Sequence, residues 1–336
     1  MKQENAKKKR ILSGMRPTGK LHIGHLHGAL ENWVRLQDEY ECFYCVVDWH
    51  ALTTEYKNPE LVASATLEVA IDYLAAGIDP SRSNIFVQSA VKQHSELFLL
   101  LAMITPLGWL ERLPSYKEQL RELREKEINT FGFLGYPLLQ VADIVIYKAD
   151  AVPVGEDQVA HIEFARELVR RFHFIFGKEV FPEPKELLTH VPRLPGLDGR
   201  KMSKSYGNAI ELGEEWESVE KKILTAKTDP ARIKRSDPGN PDICLIYDYH
   251  KVYSGDDEIE YVNKNCRTAG IGCIECKKIL LKNMKLRLEP IRERRRHYES
   301  HRGEVEEILN AGSKRARGIA EETLKEVREV LKLDRY

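Results

Sequence analysis

Residues 10–14 (RILSG) read as a short strand that stops at Gly14, and a loop of Arg16, Pro17, Thr18 and Gly19 follows. A helix is predicted to start near Leu21, with Leu26, Leu30, Trp33 and Leu36 on one face. Cys42–Val47 is an apolar run of strand length and Ser83–Gln88 is again strand-like, with a helical pattern over 59–77 between them. A charge-rich helix is predicted over 115–129 and an apolar one from Tyr136 to Tyr147. A turn around Val152–Gly155 leads into a helix from Gln158 to Phe174. The Pro-rich stretch 181–196 and a loop at 198–208 precede a mostly helical remainder, broken at 236–242. Strands alternating with helices predict an α/β fold with a parallel sheet.

A chain of 336 residues suits two domains, and we place the change near 209–215. The division predicted is a basic arm over 1–10, an α/β domain over 11–210 and a helical domain over 211–336. The formal net charge of +0 does not exclude a nucleic-acid partner, because distribution matters more than the sum. No apolar run approaches the roughly 18 residues of a membrane span. The start, MKQENAKKKR, is not a secretory signal, so the cytoplasm is the expected compartment.

Two short motifs bear chemistry. His22-Ile23-Gly24-His25 puts two histidines three apart on one helical face, where a helix N-terminus offers N–H groups to phosphates. Gly24 leaves room for a base or sugar, and the histidines can donate to a phosphate as its charge rises. Alone, the tetrapeptide reads equally as two surface histidines. Lys201-Met202-Ser203-Lys204-Ser205 puts two ammonium groups on a Gly- and Asp-containing loop, where they could follow a leaving pyrophosphate. Alone, it reads as a solvated basic turn.

Together, and in this order, the motifs resemble the HIGH and KMSKS signatures of class I aminoacyl-tRNA synthetases. Arg16-Pro17-Thr18-Gly19 and Gly155-Glu156-Asp157-Gln158 fit the same family. The resemblance runs over nearly the whole chain and is to the tryptophanyl/tyrosyl pair. It implies a Rossmann-like nucleotide-binding domain and a C-terminal α-helical domain that reads the anticodon. It also implies ATP with Mg2+, an amino-acid substrate, a tRNA partner, no membrane and a homodimer.

Asp143, in YPLLQVAD, occupies the place of the aspartate that takes the indole N–H in tryptophanyl members, and a carboxylate suits a donor-only nitrogen. Gln140 departs from the methionine of many bacterial members and matches archaeal-type tyrosyl enzymes. Leu12 stands where those tyrosyl enzymes place a tyrosine, two residues before the strand-ending Gly14. L-Tryptophan and tRNA(Trp) are therefore the expected substrates. The alternatives are a tyrosyl enzyme or a non-catalytic RNA-binding paralogue.

By resemblance, His22, His25, Lys201 and Lys204 stabilise the phosphates. Arg16, Pro17, Thr18, Gly24, Gly155, Glu156, Asp157, Leu194, Met202, Ser203 and Ser205 complete the ATP set, with Lys117 a further candidate. Asp143, Gln158, His50, Tyr136, Gln140, Val152, Val154, Gly14 and Leu12 form the amino-acid set.

Cys244, Cys266, Cys273 and Cys276 follow C-x21-C-x6-C-x2-C. Four thiolates can hold a structural zinc or an iron–sulfur cluster, and unligated buried thiols are the rival. Chemistry alone favours zinc. Resemblance to a cluster-bearing bacterial tryptophanyl subset implies [4Fe–4S]. Cys42 and Cys45 read as core thiols, since residues three apart in a strand face opposite ways. Lys277, Lys278, Lys282, Lys285, Arg287, Arg292, Arg294, Arg295, Arg296 and Arg302 are expected to form a basic stripe along the RNA backbone.

Overall fold

The computed structural model describes residues 8–122, 127–188 and 194–335. It divides into two compact units, each discontinuous in sequence: residues 1–19, 32–190 and 301–336 in the first, and 20–31 and 191–300 in the second.

The first unit is built on a five-stranded parallel sheet of order β3-β2-β1-β4-β5. Its strands are β1 (Arg10–Met15), β2 (Glu41–Val46), β3 (Ser83–Val87), β4 (Ala151–Val154) and β5 (Lys185–Leu188). Ile11 pairs with Cys42 on one side and with Ala151 on the other. Cys42 to Val46 are all buried, as a parallel strand covered on both faces requires, and both thiols sit in the core.

The helices in chain order are α1 (Ile23–His25), which passes through a π-helical turn (Leu26–Leu30) into α2 (Glu31–Leu36), then α3 (Asp48–Glu55) and α4 (Pro59–Ala76). There follow α5 (Gln93–Ala102), α6 (Leu107–Glu111), α7 (Pro114–Glu122), α8 (Phe131–Ile146) and α9 (Val159–Phe176). The remainder comprises α10 (Trp216–Thr225), α11 (Leu245–Tyr253), α12 (Asp256–Arg267), α13 (Cys273–Ser300) and α14 (Arg302–Leu331).

Three local readings change. The helix ahead of Tyr147 begins five residues earlier than its apolar run suggests, because Thr130 caps it by accepting the Phe133 N–H. The stretch expected as a turn at 152–155 is the fourth strand and its exit, since Ala151–Val154 is buried throughout. β5 emerges from the Pro-rich stretch, where its mixed KELL pattern gives no periodic signal. Of the helix expected over 115–129, residues 123–126 lie outside the described residues, as do residues 1–7 of the basic arm.

The compact units also differ from a single cut at 210/211. Residues 301–336 return to the sheet unit, where Ala316, Ala320, Leu324 and Val327 of α14 join the core of Leu12, Phe43, Phe86, Val152 and Phe172. Gly312 permits this: a Cβ there would lie 1.8 Å from the Ile85 carbonyl oxygen of β3. In the second unit, Ile23 N–H donates to Ile210 O at 3.0 Å and Leu212 N–H to Leu21 O at 3.0 Å. These bonds stitch residues 21–23 to the segment after the loop, above a helical core that includes Ile223, Ile246, Tyr249, Leu280 and Met284.

Candidate active site

In the sheet unit, the strand order reverses between β1 and β4. In such sheets ligands bind beyond the carboxyl ends of the strands at that reversal. The chain places Gly14 and Arg16–Thr18 beyond β1, and Gly155–Gln158 beyond β4. Thr18 N–H donates to Arg16 O at 2.9 Å, which closes a tight turn around Pro17. The Arg16 guanidinium bonds the Thr54 hydroxyl, and its buried Nε has no hydrogen-bond partner among the described residues. An orphaned buried donor fits a site that receives an acceptor from a ligand.

Asp143, 2% exposed on α8, is the polar centre of this unit. It accepts from Gln88 Nε2 at 2.8 and 2.9 Å, and meets His50 Nε2 at 2.9 Å and His94 Nδ1 at 2.5 Å. Burial alone would raise this carboxyl, but His94 and His50 outweigh it and hold Asp143 at about 2. A carboxylate accepts only, so His94 presents an Nδ1–H to Asp143 and its Nε2 faces the Tyr147 hydroxyl at 2.7 Å.

His50, expected in the amino-acid set, thus lies against Asp143. Leu12, Val152 and Val154 are buried strand residues of the same unit. Tyr136 and Gln140 are half-buried on α8, and the Tyr136 ring lies 5.6 Å from that of His161. Gln158 is the N-cap residue of α9, its N–H donates to Gly155 O at 3.0 Å and its side-chain amide donates to Asp157 Oδ2 at 3.3 Å. Glu156 and Asp157 are exposed, as is Lys117 on α7. Gln88, His94 and Tyr147 were missed. Gln88 closes the strand-like run SNIFVQ, the one signal available, whereas His94 sits in the mostly polar QSAVKQH.

The second unit holds both signature motifs. The His22 and His25 ring centroids lie 3.7 Å apart, with the rings tilted by 35°. Burial and then Lys204 push His22 down to about 4. Burial, His22, Lys204 and Lys201 push His25 well below its ordinary value. Both rings are therefore neutral near pH 7 and act as hydrogen-bonding groups rather than cations. The same interactions place the Lys201 and Lys204 ammonium groups within electrostatic reach of His25.

Gly24 does not face open space. A Cβ there would meet His22 Nδ1 at 2.9 Å and Met202 Sδ at 3.3 Å, so this glycine lets the two motifs pack together. The loop is a hairpin with a bridge between Pro195 and Lys201, next to buried Leu194. Asn208 pins it: its Oδ1 accepts from Ser203 N–H at 2.8 Å and its Nδ2 donates to Asp198 at 2.7 Å and to Lys201 O at 3.1 Å. The backbone of Ser205 lies in the short turn Lys204–Tyr206.

The four C-terminal cysteines are free and neighbour one another. Burial, then Cys244, Cys266 and Cys273, push the Cys276 thiol up to about 12. Cys244 is the N-cap residue of α11 and Cys273 opens α13. Arg232 Nη1 lies 3.9 Å from Cys266 Sγ. Among the described residues, no three His, Cys, Asp or Glu side chains are drawn up to hold a single metal ion.

The basic stripe is a correction in part. Lys277, Arg292 and Arg295 are buried. Lys277 Nζ donates to Leu224 O at 2.8 Å and Ala226 O at 2.7 Å, while Arg287 and Arg296 pair with Glu31 and Glu289. Charge counted along a helix does not show which cations the packing consumes. Lys278, Lys282, Lys285 and Arg294 remain exposed.

The family described as tRNA synthetases class I (W and Y) matches residues 4–289. The tryptophan–tRNA ligase of Thermotoga maritima is 55% identical, with 96% of this chain and 99% of that protein covered. That of Ralstonia nicotianae is 45% identical over 96% and 98%. The tryptophanyl-tRNA synthetase of Campylobacter jejuni, complexed with ADP and tryptophan, superposes with a TM-score of 0.87 at 31% identity, over 96% of this chain and 99% of that one. With its parallel sheet, its two signature motifs and these likenesses over nearly full length, the chain belongs to the class I tRNA synthetases of tryptophan and tyrosine.

Proposed function

We propose that the chain activates L-tryptophan with ATP and transfers it to tRNA(Trp). The observation that bears most weight is Asp143: a buried carboxylate held ionised at about 2 is matched to a donor-only indole N–H. His50, His94 and Gln88 hold that carboxylate in place. Leu12, Tyr136, Gln140, Val152, Val154 and Gly14 line the indole's surroundings, and Gln158 meets the amino-acid end.

ATP enters as its magnesium complex, against Arg16, Pro17, Thr18, Gly155, Glu156, Asp157, Leu194 and the loop from Lys201 to Ser205. The tryptophan carboxylate attacks the α-phosphate in line, and pyrophosphate leaves. A terminal ribose hydroxyl of the tRNA then attacks the carbonyl of the adenylate, and AMP leaves. No protein nucleophile is used. Neutral His22 and His25 donate to phosphate oxygens while Lys201 and Lys204 offset the charge that develops on the pyrophosphate.

The four cysteines suit a [4Fe–4S] cluster, with zinc the second choice. A cubane takes one thiolate on each iron, so its sulfurs stand farther apart than the four that one zinc draws to about 2.3 Å. The four thiols lie close enough to act on one another, which with the spacing of their motif supports a shared group. When bound, such a cluster supplies a covalent clip. Protein purified without oxygen is then expected to be brown, with about four irons per chain. Colourless protein with one zinc would keep the ligands and discard the cluster.

Residues 211–336, with exposed Lys278, Lys282, Lys285 and Arg294, are the proposed anticodon-reading part. The chain acts in the cytoplasm as a homodimer, and no helix among the described residues is long and apolar enough to cross a membrane. Pyrophosphate exchange into ATP, run with each of the twenty amino acids, tests the reaction. Exchange driven by tryptophan is expected, and exchange driven by tyrosine instead would overturn the assignment.

A further inference from the structure

His27 lies two residues past the HIGH tetrapeptide, in the π-helical turn, and is 2% exposed. A π-turn inserts an extra residue into a helix, and such turns recur at functional sites. Here the turn directs an imidazole into the interior of the second unit. His27 Nδ1 meets Glu31 Oε2 at 3.0 Å, and Nε2 meets the Tyr253 hydroxyl at 2.7 Å. Glu31 accepts only, so Nδ1 carries the proton and Nε2 accepts from the phenol, which burial keeps protonated. Arg287 of α13 completes the set by donating to Glu31 at 2.8 Å.

Tyr253 ends α11, and the other end of α11 is the four-cysteine site. Cys244 is the N-cap residue of that helix. One turn before Tyr253, His250 is fully buried. Its Nδ1 meets Ser254 Oγ at 2.8 Å, and that oxygen already accepts from Asn283 at 2.9 Å. The Cys276 carbonyl only accepts, so His250 Nε2 carries the proton, 3.3 Å from that oxygen and 3.4 Å from the Cys276 sulfur, and Nδ1 accepts from the Ser254 hydroxyl. Cysteine site, α11 and HIGH turn thus form one line of contacts inside one compact unit.

We propose that α11 is a strut through which the four-cysteine site positions the HIGH motif, with Tyr253 and His27 as positioning residues for adenylate formation. The cysteine site then serves the first step of the reaction, besides whatever it does for RNA. The inference rests on the proposed activity, but not on which metal the thiols hold.

Tyr253→Phe removes one hydroxyl and keeps the ring. It is expected to lower kcat for tryptophan-dependent pyrophosphate exchange about tenfold, with the tryptophan KM, the metal content and the urea midpoint close to wild type. Cys276→Ser is expected to lower the same kcat, and the double variant to fall no further than the worse single one, as for two breaks in one line. Wild-type kcat in Tyr253→Phe, or effects that multiply in the double variant, would overturn the proposal. Should Cys276→Ser fail to fold, hydrogen exchange is read on residues 23–31 of the wild-type chain with and without chelator, and of Tyr253→Phe. Faster exchange in both is expected, and unchanged protection in either overturns the strut. Metal analysis comes first: where the chain holds no metal the chelator arm is dropped and Tyr253→Phe alone decides, and that finding discards only the cluster.

Discussion

At the scale of single residues, the two halves of the chemistry make different demands. Asp143 must stay ionised while buried, and its two histidines and Gln88 achieve that. Asp143→Ala removes a charge-assisted bond to a buried donor, so tryptophan binding should weaken by about 1.5–3 kcal/mol, with ATP binding little changed. Equal loss for an analogue without an indole N–H would remove Asp143 as its partner. Lys204 acts where charge develops. Lys204→Ala should slow adenylate formation in single-turnover kinetics and leave tryptophan affinity nearly intact. Unchanged single-turnover rates would show that the ammonium has another task.

Helices and strands show why some of this was legible in the sequence and some was not. Strand runs such as CFYCVV and helical faces such as Leu26, Leu30, Trp33 and Leu36 announce burial, and all four of those side chains are in the core. Asp143 stood out because a carboxylate inside an apolar helix needs a reason. His94 and Gln88 did not, since their partner lies 49 and 55 residues away. The stripe 277–302 misled because helical charge does not say which cations lie inside. The return of α14 to the sheet was invisible for a related reason: Gly312 reads as a helix weakness until the Ile85 carbonyl is placed against it. Gly312→Ala should therefore cost about 2–4 kcal/mol, far beyond the usual effect of an exposed helix glycine, where alanine would stabilise. Urea unfolding monitored on the sheet unit measures this, and a variant more stable than wild type would contradict the close approach.

For the whole molecule, buried histidines give acid stability a definite sign. His22 and His250 in the second unit and His161 in the first are each pushed down to about 4, in every case with burial as the main cause. In the unfolded chain each returns to about 6.5. Between those values the unfolded chain binds more protons than the folded one, so stability rises with pH across the window. Their contribution is complete above about 6.5 and is lost as pH falls towards 4. At pH 5 each histidine should have given up about 1–2 kcal/mol relative to pH 7.5. Asp143, held down at about 2, behaves differently: its contribution persists through that window and is lost only between about 3.8 and 2. Because histidines of both units take part, both should weaken on mild acidification, well before carboxylates protonate. Urea midpoints at pH 7.5, 6.0 and 5.0 test this. A His161→Phe variant should flatten the dependence of the sheet unit alone, since it removes a group that must charge and leaves an aromatic ring of similar size. Midpoints that do not move between pH 7.5 and 5.0 would mean these rings gain their protons without penalty, and that the neutral state assigned to His22 beside Lys204 is wrong.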